Sequence, residues 1–334
     1  MNASGTLKLA SAEEIATLAG AGAVNLQSNT LTLSGSGNTT YSGVMSGTGG
    51  ALVKSGSGEL TLSGTNTFSG GATVSGGTVW VGNNAAFGSG TVVFSGGKIA
   101  SDSATARTLA NALTLSGGLS LGDGTNTGAL TLSGAAALSA PTTLTVLSDV
   151  TMSGVVSGAF DLTKAGSGEL TLSGVNTFSG ATVVDGGTLT LSGGSALANT
   201  MAVTVNAGGT LKLASGEEIA TLAGAGAVSL QSNTLTLSGA GDTVYSGVMS
   251  GTGALVIGAI NPPNEVVLVF DSNSAYPQAV FSNPILLQQN AFIVSGKTGT
   301  AKDIVFNNTF LLSYISSFLF VRITYLSSDN TVLF

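Results

Sequence analysis

Short alternating runs of Leu and Thr punctuate this chain. Leu31-Thr-Leu33, Leu60-Thr-Leu62, Leu113-Thr-Leu115, Leu130-Thr-Leu132, Leu170-Thr-Leu172, Leu189-Thr-Leu191 and Leu235-Thr-Leu237 are each followed at once by Ser-Gly. A period of two places every Leu on one face of a strand and every Thr on the other. The Ser-Gly behind each run predicts a strand break, with a glycine free to take positive φ. A strand this short cannot bury its apolar face alone, whereas stacked coils share one continuous core. The pattern predicts an all-β chain folded as a parallel β-solenoid. A propeller is disfavoured, because its blades need a steady period of about 40–50 residues.

Larger blocks are duplicated on top of this unit. Gly5-Thr-Leu-Lys-Leu-Ala-Ser through Gly47-Thr-Gly recurs, nearly identical, at Gly209-Thr-Leu-Lys-Leu-Ala-Ser through Gly251-Thr-Gly, an offset of 204 (209 minus 5). Gly56-Ser-Gly-Glu-Leu-Thr-Leu-Ser-Gly through Gly70 recurs at Gly166 through Gly180, an offset of 110 (166 minus 56). Unequal offsets imply an array of short coils in which blocks were copied. Ser11 to Leu18 has capping-box spacing at Ser11 and Glu14, but the Ala-Gly-Ala-Gly that follows opposes a helix. Glu13-Ile15-Thr17 is therefore expected to be a strand.

The chain changes character near Ile257. Glycine thins out and the Leu-Thr-Leu-Ser-Gly unit disappears. Residues 1–257 are expected to form the solenoid and residues 258–334 a non-repetitive, irregular β-rich segment, either further coils or a cap. Strands are expected at Glu265 to Phe270, Ala291 to Val294 and Phe318 to Leu326.

Composition narrows the chemistry. Only 7% of the 334 residues are charged, against about 25% in an ordinary domain, so the exterior must be built from Ser, Thr, Asn and Gly. With His 0 and Cys 0 the chain has no thiol nucleophile, no Ser-His-Asp triad and no His/Cys zinc site. A net charge of -7 without a Lys/Arg cluster argues against a nucleic-acid partner. No segment reaches the roughly 18 apolar residues of a membrane helix; the longest, Phe310 to Val321, contains Ser and meets Arg322. Residues 1–30 show no basic start followed by an apolar run.

The stretch Leu52-Val-Lys-Ser-Gly-Ser-Gly-Glu-Leu-Thr-Leu-Ser-Gly-Thr-Asn-Thr-Phe-Ser-Gly-Gly-Ala-Thr-Val-Ser-Gly-Gly-Thr-Val resembles the autotransporter-associated β-strand repeat, also called the passenger-associated transport repeat. Leu162-Thr-Lys-Ala-Gly-Ser-Gly-Glu through Gly187-Thr-Leu resembles a second copy, and the likeness extends over about residues 3–256. The resemblance implies a right-handed parallel β-helix in the secreted passenger of a type V secretion protein. It further implies a cell-surface or extracellular location, reached through an outer-membrane barrel that this chain does not contain. Such repeats are thought to aid export and to carry adhesive domains. The expected partners are a host or neighbouring-cell surface ligand and a second copy associating through solenoid ends or edges, with no nucleic acid and no membrane insertion by this chain.

No catalytic, cofactor-binding or metal-binding residue is expected. Gly296-Lys297-Thr298 invites a phosphate-loop reading, but Ala291 stands where the first glycine is needed, so a turn is expected. Lys297-Thr-Gly-Thr-Ala301 with Ser328-Asp-Asn330 and Ser95-Gly-Gly-Lys98 imitates a β-lactamase set in the wrong order. Paired carboxylates for polysaccharide cleavage are the alternative chemistry, and Glu59 with Glu169, and Glu13-Glu14 with Glu217-Glu218, are expected to be solvated repeat positions instead. Asp102, Asp123, Asp149, Asp161, Asp185 and Asp242 are scattered in turns, and Gly122-Asp-Gly is an isolated calcium-loop fragment. Outward Thr30/Thr32, Thr188/Thr190 and Thr234/Thr236 raise an ice-binding face, with Ala112 and Ala129 expected to interrupt it. Asn66 with Asn176, and Phe68 with Phe178, are expected to stack along the solenoid interior or its corners. Trp80, the single tryptophan, leaves little surface for stacking sugars.

Overall fold

The computed structural model describes residues 1–126, 128–239 and 241–257, and beyond them the strands Val266–Phe270, Val280–Phe281, Ile285–Leu287, Ala291–Ser295, Val305–Phe306 and Leu311–Leu312. The described residues are strands and turns, without a helix, and the strands stack in parallel as a β-solenoid. Glu13–Ile15 is a strand, as the glycines after it require. The chain divides into two compact units, Met1–Gly180 and Ala181–Phe334.

In the first unit one ladder sets the pitch. Leu31 pairs with Leu52, Leu52 with Ala72, Ala72 with Val92, Val92 with Leu113 and Leu113 with Ala136, so one coil takes 20 to 23 residues. A second ladder runs through Thr39–Tyr41, Glu59–Leu62, Thr78–Val81 and Lys98–Ser101. A third joins Arg107–Leu109, Leu130–Leu132, Val150–Met152 and Glu169–Leu172. Each ladder is in register, so side chains of one parity form a column along the stack. The inward columns hold Leu31, Leu52, Val74, Phe94 and Leu115 on one side, and Leu109, Leu132, Met152 and Leu172 on another, all buried. Burying each such side chain contributes roughly 1.5–3 kcal/mol, offset by about 1–2 kcal/mol of backbone entropy per residue, so stability accumulates only over many coils.

Phe68 and Phe178 are fully buried, and Asn66 and Asn176 nearly so. Each lies within its own coil, as a separation of 110 residues dictates at this pitch, and they do not stack on one another. In the second unit Gly187–Leu191 pairs with Gly209–Leu213, and Thr182–Val184 with Ala202–Val205. Glu217–Ile219, Thr234–Leu237 and Ala254–Ile257 form a further ladder, continued by Ile285–Leu287 and Leu311–Leu312. Strands thus occur at Val266–Phe270 and Ala291–Ser295 as expected; the expected strand at Phe318 to Leu326 lies outside the described residues.

The Ser-Gly corners depart from expectation in two ways. Gly117 and Gly193 do have positive φ, at 72° and 94°, but Gly64, Gly134 and Gly174 do not. These three are required by close approach. A Cβ on Gly64 would overlap the carbonyl oxygen of Gly43, one on Gly134 that of Asn111, and one on Gly174 that of Gly154, as one on Gly43 would that of Gly22. Glycines of successive coils therefore form columns in which backbone rests on backbone. The Ser116-Gly117 corner also fails to end its strand: Leu113–Leu121 runs through it with a register shift between Leu115 and Gly117, as a bulge permits.

Leu170→Ala, at a fully buried column position, is expected to cost about 2–5 kcal/mol. Val175→Ala, at a side chain 65% exposed, should stay within about 0.5 kcal/mol. Urea unfolding midpoints of the two variants check this pair; equal midpoints would contradict the column assignment.

Candidate functional site

The polar side chains fall into an interior set and an exterior set, and the repeat positions generate both. In Ala51–Lys54 and Leu162–Ala165 the lysine has the same parity as the inward leucine, so Lys54 and Lys164 point into the core. Both are buried, Lys164 completely. The Lys164 ammonium donates to the carbonyls of Ala165 and Gly166, each at 2.9 Å. The Lys54 ammonium donates to the Gly56 carbonyl and reaches Gly76 O, one coil on, at 3.5 Å. Burial lowers both pKa values, Lys164 from 10.5 to about 8, because desolvation penalises the charged ammonium. Carbonyls turned inward by the glycine corner are what make a buried lysine tolerable here.

Asparagine bridges coils in the same way. Asn66 accepts the Met45 N–H at 2.8 Å from the coil before and donates to Ala86 O at 2.7 Å in the coil after. Asn176 accepts the Val156 N–H at 2.7 Å. In the second unit Glu217 departs from the expected solvated position. It shares the parity of Ile219, is 4% exposed, and accepts the N–H groups of Leu197 at 2.7 Å and Ala196 at 3.3 Å. Burial pushes its carboxyl up, opposed by those two N–H bonds.

The exterior set centres on Trp80. Its indole N–H donates to Glu59 at 3.0 Å, and the Lys98 ammonium lies 4.6 Å from the ring centroid. Lys98 in turn pairs with Asp123 at 2.7 Å. Register explains the row: Glu59, Thr78, Lys98 and Ser120 follow one another up a single outward column, with Trp80 beside it. The lysine ammonium and two turn N–H groups, from Thr125 and Asn126, hold the Asp123 carboxyl down to about 2. The ring that would serve a sugar is thus already engaged by a cation.

The remaining candidates are distributed. Glu59 and Glu169 both face outward and half-buried, as expected from their repeat position. Asp102 pairs with Arg107 at 2.9 Å. Ser95 is exposed at the end of Val92–Phe94 and Lys98 is committed to Asp123, so that pair is not a nucleophile with its base. Gly296-Lys297-Thr298 and Ser328 to Asn330 lie outside the described residues. Among the described residues no three His, Cys, Asp or Glu side chains cluster to hold a metal. Thr190, opposite in parity to the inward Leu189 and Leu191, is nonetheless covered, at 4% exposed. A regular file does exist elsewhere: Thr108, Thr131, Thr151 and Thr171 pair in register across four coils. The neighbouring ladder alternates Thr32, Val53, Thr73, Val93, Thr114, so the file is one residue wide. An open groove of about 620 Å³ is lined by Asn25, Gln27, Ser28, Ser46, Gly47, Thr48 and Thr67, none of them charged.

Residues 52–81 and 162–191 each match the family described as passenger-associated-transport-repeat. No curated protein and no solved structure shows significant similarity to the chain. The two matched segments contain the buried Lys54 and Lys164, the outward Glu59 and Glu169, and the buried Asn66, Phe68, Asn176 and Phe178 at equivalent positions.

The buried lysines and tyrosines give a signed pH dependence. Above pH about 8 the folded chain releases the Lys164 proton while the unfolded chain keeps it to about 10.5, so stability rises across that interval. Tyr41, buried with its hydroxyl donating to Gly22 O at 2.9 Å, has a pKa raised from 10.0 to about 12. Above pH 10 the unfolded chain loses a phenolic proton that the folded chain retains, so stability falls. Urea unfolding from pH 7 to 11.5 is expected to show the rise reduced in Lys164→Met, with Lys54 supplying the remainder, and the fall reduced in Tyr41→Phe.

Proposed function

We propose that this chain, whose residues 52–81 and 162–191 are passenger-associated-transport repeats, is a non-enzymatic stalk from an autotransporter passenger, displayed at the cell surface or released from it. The observation that carries this reading is the recurrence of one structural solution in both repeats. Each encloses a lysine whose ammonium is capped by carbonyls of its own glycine corner, and each carries a buried Asn and Phe. Those residues hold coils together, and substrate chemistry has no need to duplicate them. A stalk needs many equal coils, each adding a similar increment of stability, with a surface that stays soluble without much charge.

An adhesive role fits the exterior. Outward columns of Thr, Ser and Asn and the neutral groove at Gln27 offer hydrogen bonds without strong charge, a surface matched to hydroxyl-rich or neutral partners on another cell. The polysaccharide-cleaving alternative is disfavoured by the engagement of Glu59 and Lys98 around Trp80.

Placed between a signal peptide and an autotransporter barrel in a Gram-negative host, the chain is expected to reach the surface and to be cut by protease added to whole cells. Protection from protease in intact cells, with digestion once the outer membrane is opened, would contradict the reading. Incubation with bacterial and plant polysaccharides should release no new reducing ends; their appearance would overturn the non-enzymatic assignment.

A further inference from the structure

The open groove at Gln27, about 620 Å³, falls within the range of ligand sites, about 300–1,000 Å³. It crosses three successive coils. Asn25 and Ser46 are register partners, and the Thr67 N–H donates to the Met45 carbonyl at 2.8 Å in the coil before its own. Leu26 to Asn29 forms a turn, closed by the Asn29 N–H on the Leu26 carbonyl at 2.9 Å, and Gln27 stands at its second position with a φ of 57°. Gly, Asn and Asp dominate turn positions of positive φ. Apart from Gln231, no other described non-glycine residue has one. Residues held in this sparsely populated region cluster at ligand clamps.

The duplicated block supplies an internal control. Gln231, with a φ of 54°, is the counterpart of Gln27, 204 residues on (231 minus 27). Its turn is closed in the same way, by the Asn233 N–H on the Leu230 carbonyl at 2.8 Å. One neighbour differs, because Ser229 stands where the first copy has Asn25. The Gln231 side-chain amide donates to the Ser229 hydroxyl at 2.7 Å and is tied back to its own strand. Asn25 instead accepts the Gln27 backbone N–H at 2.9 Å, and the Gln27 side-chain amide makes no hydrogen bond to a described residue. One exchange, Asn for Ser, thus leaves a half-buried primary amide open in the first groove, beside the hydroxyls of Ser28, Ser46, Thr48 and Thr67.

We propose that this groove binds a neutral sugar through two hydroxyls on adjacent ring carbons, with Gln27 as the residue that engages them. A primary amide sets an acceptor oxygen and a donor nitrogen side by side. Vicinal hydroxyls have a matching separation, and each can donate or accept, so one amide serves both. The surrounding Ser and Thr hydroxyls have the same adaptability towards further hydroxyls of the sugar. No charged side chain lines the groove, which suits an uncharged ligand, and no aromatic ring lines it, so hydrogen bonds carry the affinity. The inference rests on the adhesive reading of the exterior and gives it a site and a ligand class. A chain that reaches the cell surface yet binds no sugar would remove the groove and leave the secretion reading standing.

The test titrates the full chain with maltotriose and with cellotriose, followed by ligand-observed NMR. Saturable binding of at least one of them is expected, with Kd on the order of 1 mM. Maltotriose or cellotriose whose vicinal diols have been cleaved with periodate and the products reduced with borohydride should not bind. Gln27→Gly removes the amide and relaxes the turn, so affinity should fall about tenfold while the urea midpoint does not drop. Gln231→Gly relaxes the equivalent turn and should leave affinity unchanged. Asn25→Ser reproduces the tie of the second copy and should weaken binding about fivefold. No saturation with either trisaccharide, equal binding of the cleaved sugar, unchanged affinity in Gln27→Gly or Asn25→Ser, or an equal loss in Gln231→Gly would each overturn the proposal.

Discussion

Everything in this molecule depends on one constraint: each coil must present to the next a backbone edge in register and an apolar column of the same parity. Register fixes the parity, because a slip of one residue would turn Leu52, Val74 and Phe94 outward together. The glycine columns are the other half of the same constraint. Where Gly43 rests on Gly22 and Gly64 on Gly43, the coils approach too closely for any Cβ. High glycine content is here a consequence of stacking geometry more than of chain flexibility.

The buried polar groups obey that constraint. Lys54, Lys164, Asn66, Asn176 and Glu217 find partners among backbone groups, several of them in adjacent coils. A polar group satisfied by the neighbouring backbone fixes register in a way that Leu against Leu does not, since a slip leaves it unpaired in the core. The exterior is correspondingly spare. Its described charged row Glu59–Trp80–Lys98–Asp123 ties successive coils together on the outside, and Asp102–Arg107 braces a single turn, each contributing little on its own.

The solenoid was legible from the Leu-Thr-Leu parity and from the duplicated blocks, because period two and recurrence are both local signals. The interior ions were less so. Lys54 and Lys164 share parity with Leu52 and Leu162, and Glu217 with Ile219, so the signal was present. It was masked by the ordinary rule that charge faces water, and only the position of the corner carbonyls reverses that rule. Glu13 and Glu217 show the limit plainly: nearly identical local sequence, with Ala12 in place of Gly216, gives an exposed carboxylate in one copy and, in the other, a buried one that accepts N–H groups some 20 residues away. The Trp80 cluster was illegible for the same reason, since Glu59, Lys98 and Asp123 meet only through ladder register.

Disulfide trapping tests the in-register stack most directly, in a chain with Cys 0. Thr131 and Thr151 are register partners, and Thr131 and Thr171 are two rungs apart, which is about 4.8 Å against about 9.6 Å in a parallel ladder. Mild oxidation should close an intramolecular disulfide in Thr131→Cys/Thr151→Cys and leave Thr131→Cys/Thr171→Cys reduced, because a disulfide needs Cα atoms within about 7 Å. Equal cross-linking of both pairs, or of neither, would contradict the stacked solenoid.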